Sequence, residues 1–286
     1  MRSDFLLGLG PGGFHRICYT DWGGAAAGRT VVAVHGLTRN GRDFDRLAAA
    51  LSGGGGGGFR VVCPDIAGRG RSDWLPAAAH YTYPQYLADM TALIARLGAP
   101  AVDWIGTSMG GLIGMMLAAQ PGSPVRRLVL NDIGPFVPRA ALARIAAYVG
   151  EDPRFARLDE VEAYLRRVHA PFGRLSDADW RHLALHGHRR LDGGGFALAY
   201  DPAIGTAFRE AARRQVDLWA VWEAVRCPVL VLRGESSDVL PAEVAEGMAR
   251  RGPRARVFTI AGAGHAPALM SADQIAVVRE WLTSAP

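Results

Sequence analysis

Gly106-Thr107-Ser108-Met109-Gly110 lies between two apolar runs of different kinds. The residues before it, 101–105, are typical of a short buried strand, and those after it, 111–120, are typical of a buried helix. A G-x-S-x-G sequence at a strand-to-helix junction is typical of a nucleophile elbow, where a strained turn exposes the serine hydroxyl. Side chains at Gly106 and Gly110 would collide with the neighbouring strand and helix, so both glycines fit this turn. The stretch therefore predicts that Ser108 is a nucleophile.

The composition is that of a globular protein with one large or two small domains. The chain has 286 residues, of which 49% are hydrophobic and 21% charged, so it can bury a substantial core. No apolar run is long enough to span a bilayer, and the run at 5–10 is too short for the core of a signal peptide. Cys18, Cys63 and Cys227 show no C-x-x-C spacing. They favour a reducing, cytoplasmic location over a disulfide framework or a zinc site.

The basic residues show which partners and cofactors to expect. The net charge is +5, and all 32 basic residues are arginines. Because these arginines are spread in ones and twos, they indicate solvated surface, and we expect neither nucleic acid nor a membrane as a partner. The absence of lysine excludes Schiff-base chemistry, pyridoxal phosphate attachment and a P-loop. Association into a homo-oligomer stays open.

Strand and helix patterns alternate along most of the chain, which predicts a mostly parallel sheet covered by helices. The predicted strands are 30–35, 60–63, 101–105, 127–131, 228–232 and 256–260, and the predicted helices are 44–51, 83–97, 111–120, 242–250 and 273–283. The glycine run 53–58 is predicted to be a surface loop. From about Pro135 to Asp217 the strand patterns vanish and helical spacing takes over. We therefore expect a core formed by 1–134 and 218–286, with a helical insertion at 135–217.

A serine nucleophile needs a base, and the base needs an orienting partner. His265 lies in a glycine-rich loop after the last predicted strand and is the candidate base. Asp238 follows the strand that ends at 232, where the acid of an elbow enzyme usually stands, and is the predicted acid. Asp132, just beyond the preceding strand, and Glu235 are the alternatives.

An oxyanion hole requires two amides that point at one position beside the nucleophile. The first candidate is the N–H of Met109, directly after the serine, and the second is that of Leu37 in the loop after His35. His35 itself is interpreted as a structural, hydrogen-bonded histidine. Arg39 and Asn40 follow this loop and either contact a substrate carboxylate or hydroxyl or are surface loop residues.

Five motifs give the chain a resemblance to the α/β-hydrolase fold family, in its serine-nucleophile branch with a helical cap. They are VVAVHGL (31–37), PDIAGRGRSD (64–73), GTSMGG (106–111), PVLVLRGESSD (228–238) and GAGH (262–265). The resemblance implies a mostly parallel sheet of about eight strands flanked by helices, with the insertion 135–217 acting as a lid.

Serine at the elbow argues against the dehalogenase and epoxide hydrolase branches, which place aspartate there. The leading interpretation is hydrolysis of a small carboxylic ester or lactone through an acyl-enzyme, with no cofactor. Oligomers of short hydroxy acids fit this class. A C–C bond hydrolase acting on a vinylogous diketone is an alternative, although such enzymes usually carry Asn and Trp where this chain has Thr107 and Ala266. A cofactor-free haloperoxidase or perhydrolase, and a ligand-binding protein without turnover, are further alternatives.

The insertion contains a histidine group at His182, His186 and His188. The first two stand at i, i+4, but a metal site needs a further ligand and usually a carboxylate, and Gly187 interrupts the helix. We therefore expect lid surface or pocket lining rather than a metal site. Candidates to line an apolar pocket are Phe136, Tyr148, Phe172, Phe196 and Tyr200.

Overall fold

The computed structural model describes residues 1–24, 27–53 and 58–284. The strands are β1 Arg2–Gly10, β2 Gly13–Trp22, β3 Arg29–Val34, β4 Phe59–Pro64, β5 Val102–Thr107, β6 Val125–Asn131, β7 Phe136–Val137, β8 His188–Arg190, β9 Phe196–Leu198, β10 Val216–Asp217, β11 Val229–Gly234 and β12 Arg256–Ile260. The helices are α1 Asp45–Ser52, α2 Tyr83–Leu97, α3 Met109–Ala118, α4 Arg139–Ala146, α5 Leu158–Val168, α6 Asp177–His186, α7 Ala203–Ala211, α8 Trp219–Ala224, α9 Ala242–Arg250 and α10 Ala272–Thr283. Most of the predicted glycine loop, residues 54–57, lies outside the described residues. None of the described helices has the length and hydropathy to cross a membrane.

Eight strands form one sheet in the order β1-β2-β4-β3-β5-β6-β11-β12. The pairs from β4 through β3, β5, β6 and β11 to β12 are all parallel. β1 and β2 pair antiparallel with each other, and β2 pairs antiparallel with β4. The prediction of a mostly parallel eight-stranded sheet flanked by helices is therefore confirmed.

The central strands are buried on both faces, which explains their continuous apolar sequences. Val31 and Ala33 of β3 belong to a core that includes residues of α1 and α10. Val32 and Val34 belong to a second core that includes residues of α2 and α3. Because successive strand residues point to opposite faces, one apolar strand supplies both cores.

The antiparallel hairpin of β1 and β2 was not among the predicted strands. In β1 the buried Leu6 and Gly8 alternate with exposed Phe5, Leu7 and Leu9. Both faces of this edge strand therefore carry apolar residues, and the hydrophobic–polar alternation that identifies a half-buried strand is missing.

Residues 135–217 leave the sheet after β6 and return before β11. They contain helices α4 to α7, as expected, but also the short strands β7, β8, β9 and β10. The expectation that strands are absent from this segment is wrong at these four places. β7 and β10 pair antiparallel, with Val137 opposite Val216, so the two ends of the segment lie side by side.

The turn between β5 and α3 has the backbone that the sequence predicts for an elbow. Ser108 has a φ of 51°, in the left-handed region that most residues avoid. A Cβ added to Gly106 would collide with the Gly110 carbonyl, and one added to Gly110 would collide with the Val34 carbonyl. The requirement for glycine at both positions is confirmed.

Replacing Gly110 by alanine should strongly destabilise the protein. The atom that would clash is a backbone carbonyl of a central strand, which cannot move without distorting the sheet. We expect Gly110→Ala to lower the free energy of unfolding by about 3 kcal/mol or more in denaturant titration. Gly193→Ala is the matched control, because a Cβ there meets nothing within 4 Å. Equal unfolding midpoints for the two variants would contradict this account of the elbow.

Candidate active site

Three side chains at the carboxyl end of the sheet form one hydrogen-bonded chain. Ser108 follows β5, Asp132 follows β6, and His265 lies in the loop after β12. His265 Nε2 is 2.9 Å from Ser108 Oγ, and His265 Nδ1 is 2.8 Å from a carboxylate oxygen of Asp132. In this geometry the imidazole can take the serine proton while the carboxylate stabilises the resulting imidazolium.

The carboxylate of Asp132 is fully buried and accepts two further hydrogen bonds. The donors are the Gly234 N–H at 2.7 Å and the Ser237 hydroxyl at 2.5 Å, both from the end of β11 and the loop after it. These donors offset the cost of burying a carboxylate. Glu235, from the same loop, instead accepts a hydrogen bond from the Gly262 N–H at 2.9 Å.

The prediction that Asp238 orients His265 is wrong for this structure. The Asp238 side chain is 45% exposed, and its two oxygens pair with Arg144 Nε and Nη2 at 2.6 and 2.8 Å. Although partial burial opposes it, the hydrogen bonds from Arg144 lower the pKa of Asp238 below its ordinary value. The loop after β11 turns Asp238 outward, and Asp132, the alternative from the preceding strand, occupies the position beside the imidazole.

The amides predicted for an oxyanion hole have no partner within the described part of the chain. Neither the Leu37 nor the Met109 N–H donates a hydrogen bond to another described residue. Both residues line the same cavity as Ser108, and Met109 begins α3. The two amides are therefore available to a negative oxygen beside Ser108, and their role in an oxyanion hole stays a prediction.

Arg69 is a residue at this site that the sequence interpretation missed. Its side chain is fully buried, and its Nε donates to the Leu37 carbonyl at 2.9 Å. Its other nitrogens contact the Tyr86 hydroxyl at 2.9 Å and the Met109 sulfur at 3.5 Å. Arg69 thus contacts the two residues whose amides are predicted to form the oxyanion hole. The available indication in the sequence was the position of Arg69 between two glycines of the motif PDIAGRGRSD (64–73).

His35 is a structural histidine, as interpreted. Its Nδ1 donates to the Gly36 carbonyl at 2.7 Å, and its Nε2 accepts from the Ile66 N–H at 2.9 Å. Burial lowers the pKa of His35 to about 3, so the ring is neutral at pH 7. With both nitrogens occupied, His35 is no rival to His265 as the base.

Arg39 and Asn40 are both buried, so their interpretation as surface loop residues is wrong. Arg39 lines the cavity, and its Nε and Nη2 donate to Asp43 at 2.8 and 2.7 Å. Asn40 accepts from the Arg42 N–H at 3.0 Å and donates to the His186 carbonyl at 2.8 Å. Asn40 therefore ties its loop to α6, whereas Arg39 stays a candidate substrate contact.

The histidine group of the insertion packs against the core and not into the cavity. His182, His186 and Asp45 offer ligand atoms within 4.8 Å of one another, which adds the carboxylate that the sequence did not place there. However, Arg42 donates to both Asp45 oxygens, and His182 Nε2 is 2.8 Å from the Arg42 carbonyl. A cation would have to displace these contacts, so the group fits a polar contact between two segments better than a resident metal. His188 binds a carbonyl of its own segment.

A cavity of about 590 Å³ adjoins Ser108 and His265. Of the aromatic residues predicted to line a pocket, Tyr148 and Phe172 do so, whereas Phe136, Phe196 and Tyr200 are not part of its lining. Further apolar residues from 135–217 contribute to that wall, among them Val137, Leu142, Ile145, Val168, Leu183, Ile204 and Phe208. The site therefore lies between the sheet and this segment.

Comparisons with known proteins agree with this architecture. Residues 29–270 match the family model for the alpha/beta hydrolase fold. The chain is 46% identical to the 3-hydroxybutyrate-oligomer hydrolase of Cupriavidus necator, in an alignment covering 99% of this chain and 98% of that protein. It is 29% identical to the 2-(acetamidomethylene)succinate hydrolase of Mesorhizobium japonicum, with 84% and 82% coverage.

A solved alpha/beta hydrolase from Novosphingobium aromaticivorans superposes on the structure with a TM-score of 0.86. The two chains are 34% identical, and the superposition covers 98% of this chain and 97% of the other. The family model, the relatives and the structural likeness all extend over most of the chain. The chain therefore belongs to the α/β-hydrolase fold family and is a hydrolase.

Proposed function

We propose that this protein is a serine hydrolase that cleaves a small carboxylic ester or lactone through an acyl-enzyme intermediate. The observation that carries the proposal is the hydrogen-bonded chain from Ser108 through His265 to Asp132. The serine stands at a strained elbow beside a cavity, which is where a nucleophile must meet its substrate.

The proposed steps use only groups of this chain and water. Ser108 Oγ attacks the ester carbonyl carbon while His265 Nε2 takes its proton, and the N–H groups of Leu37 and Met109 bind the oxyanion. His265 then donates that proton to the departing alcohol oxygen. Water, deprotonated by the same imidazole, attacks the acyl-enzyme and releases the acid and the free serine. Asp132 stabilises the imidazolium throughout, and no cofactor is needed.

We propose that the substrate is an ester of a short hydroxy acid, such as a small oligomer. The support is the likeness over nearly the whole length to a protein named a 3-hydroxybutyrate-oligomer hydrolase. The cavity of about 590 Å³ lies within the usual range for small-molecule sites. Its largely apolar wall suits a short aliphatic chain, and a small-molecule ester is the partner we propose for the site.

We further propose that residues 135–217 act as a lid over a core formed by 1–134 and 218–286. Pairing of β7 with β10 brings the two ends of the segment together, so its two chain connections to the core lie side by side. Tyr148, His169 and Phe208 of the segment line the cavity that also contains Ser108. A cytoplasmic location is part of the proposal, because the three cysteines are free thiols.

Removing the nucleophile should abolish ester hydrolysis. With p-nitrophenyl esters of increasing chain length, we expect Ser108→Ala to lose about 10⁴-fold or more in kcat, because the triad acts as one unit. The thermal melting curve should stay that of the wild type. A fluorophosphonate should label the wild type and not the variant. Serine-independent turnover at the wild-type rate would contradict the proposal.

The acid can be assigned by comparing two matched variants. Asp132→Asn removes the charge beside His265 and favours the wrong tautomer, so kcat should fall about 10⁴-fold. Asp238→Asn removes half of a partly exposed ion pair with Arg144, and kcat should change less than about tenfold. Circular dichroism and melting curves check that both variants fold. A larger loss of kcat in Asp238→Asn would overturn the assignment of Asp132.

A further inference from the structure

His169 lies on the part of the 135–217 segment that touches the loop of the proposed base. It directly follows α5, is 8% exposed, and stacks on Phe172 with ring centroids 4.5 Å apart. The Gly264 N–H donates to the Pro171 carbonyl at 2.7 Å, which fixes this turn against the loop that carries His265. The contact with Phe172 and the hydrogen bond between Gly264 and Pro171 therefore fix the position of the His169 ring relative to His265.

The His169 ring has no hydrogen-bond partner among the described residues, and it lines the same cavity as Ser108. Its nitrogens do not belong to the fully buried polar atoms that lack a partner, so they are open to the cavity. The two other buried histidines differ. His15 contacts the Asp89 carboxylate at 3.0 Å, and both ring nitrogens of His35 are occupied. Because no described protein group satisfies the imidazole, its hydrogen-bond partner comes from what the cavity holds, which is water in the free site and a polar group of the substrate in the occupied one.

The charge state of His169 limits what that partner is. Burial lowers the pKa of His169 well below its ordinary value, and the positive charge of Arg39 lowers it further. The ring is therefore neutral at pH 7 and presents one N–H donor and one acceptor nitrogen. Phe172 and Val168 in the adjoining lining are apolar. A hydroxyl group, which both donates and accepts, can use either nitrogen, whereas a carboxylate would be desolvated beside a neutral ring.

We propose that His169 is a specificity-determining residue that binds the hydroxyl of a short hydroxyacyl ester. This subsite selects 3-hydroxyacyl esters over unsubstituted acyl esters of the same length. The inference rests on the ester hydrolysis proposed above and names the residue that recognises the substrate class.

The test compares two substrates that differ by one oxygen atom. They are the p-nitrophenyl esters of butyrate and of 3-hydroxybutyrate, which share a leaving group and a chain length. The measured quantity is the ratio of kcat/KM for the hydroxylated ester to that for butyrate. A mono-p-nitrophenyl ester of succinate provides a third arm, in which a carboxylate replaces the hydroxyl.

Three variants separate hydrogen bonding from shape. His169→Phe keeps an aromatic ring against Phe172 but removes both nitrogens, and His169→Gln keeps one donor and one acceptor. His188→Phe is the matched control, because His188 lies on the same segment, binds the Ala184 carbonyl and is not part of the cavity lining. Melting curves establish that each variant is folded.

We expect the wild type to favour the hydroxylated ester and His169→Phe to lower the ratio about tenfold, as the loss of one buried hydrogen bond allows. His169→Gln should recover part of the ratio, and His188→Phe should keep the wild-type ratio. A wild-type ratio in folded His169→Phe would overturn the inference, as would an effect confined to the succinate ester. If neither ester is hydrolysed in a Ser108-dependent manner, it is the proposed ester hydrolysis that fails.

Discussion

The hydrogen bonds to the buried carboxylate of Asp132 join three strand ends into one site. Asp132 itself ends β6, Gly234 and Ser237 reach it from β11, and His265 reaches it from the loop after β12. Parallel strands present their carboxyl ends at one edge of a sheet, which brings these loops within hydrogen-bonding distance. Without this acceptor, the imidazole would lose its orientation and the loop after β11 would lose its anchor. The structure of the loop after β11 and the proposed catalytic role of His265 therefore both depend on the carboxylate of Asp132.

Most of the sheet and the elbow could be predicted because their sequence is constrained locally. Parallel strands covered on both faces are largely apolar, as in β3 and β5, and glycines bound the elbow where any Cβ would strike backbone. The first strand of the hairpin, β1, escaped because its outward face is also apolar, so no alternation marks it. Of the four short strands at 136–217, β7 and β10 are held by partners distant in sequence, which local patterns do not reveal. β8 and β9 form a local hairpin, but each strand is too short to show an alternating pattern.

The proposed base and nucleophile followed from sequence, but the acid did not, for a reason visible in one loop. Ser237 and Asp238 are adjacent, yet Ser237 is buried on Asp132 while Asp238 turns outward to Arg144. Two carboxylates that each follow a strand look alike until the burial and the partner of each are known. Arg69 was also missed, because it contacts Leu37 and Met109, which are 32 and 40 positions away in the sequence.

The charge balance of the cavity wall bears on the kind of substrate it accepts. Three arginines line the cavity, and two of them, Arg39 and Arg144, are each bound to a carboxylate, so neither of these two offers an unpaired charge there. The third is Arg214, which follows α7. His169 is neutral because its burial and the nearby charge of Arg39 disfavour the imidazolium. Beside Arg39, Arg144 and His169, a charged group would lose its hydration without gaining a free counter-charge, whereas a hydroxyl loses little and gains a hydrogen bond. This part of the wall therefore favours a polar but uncharged chain next to the scissile ester.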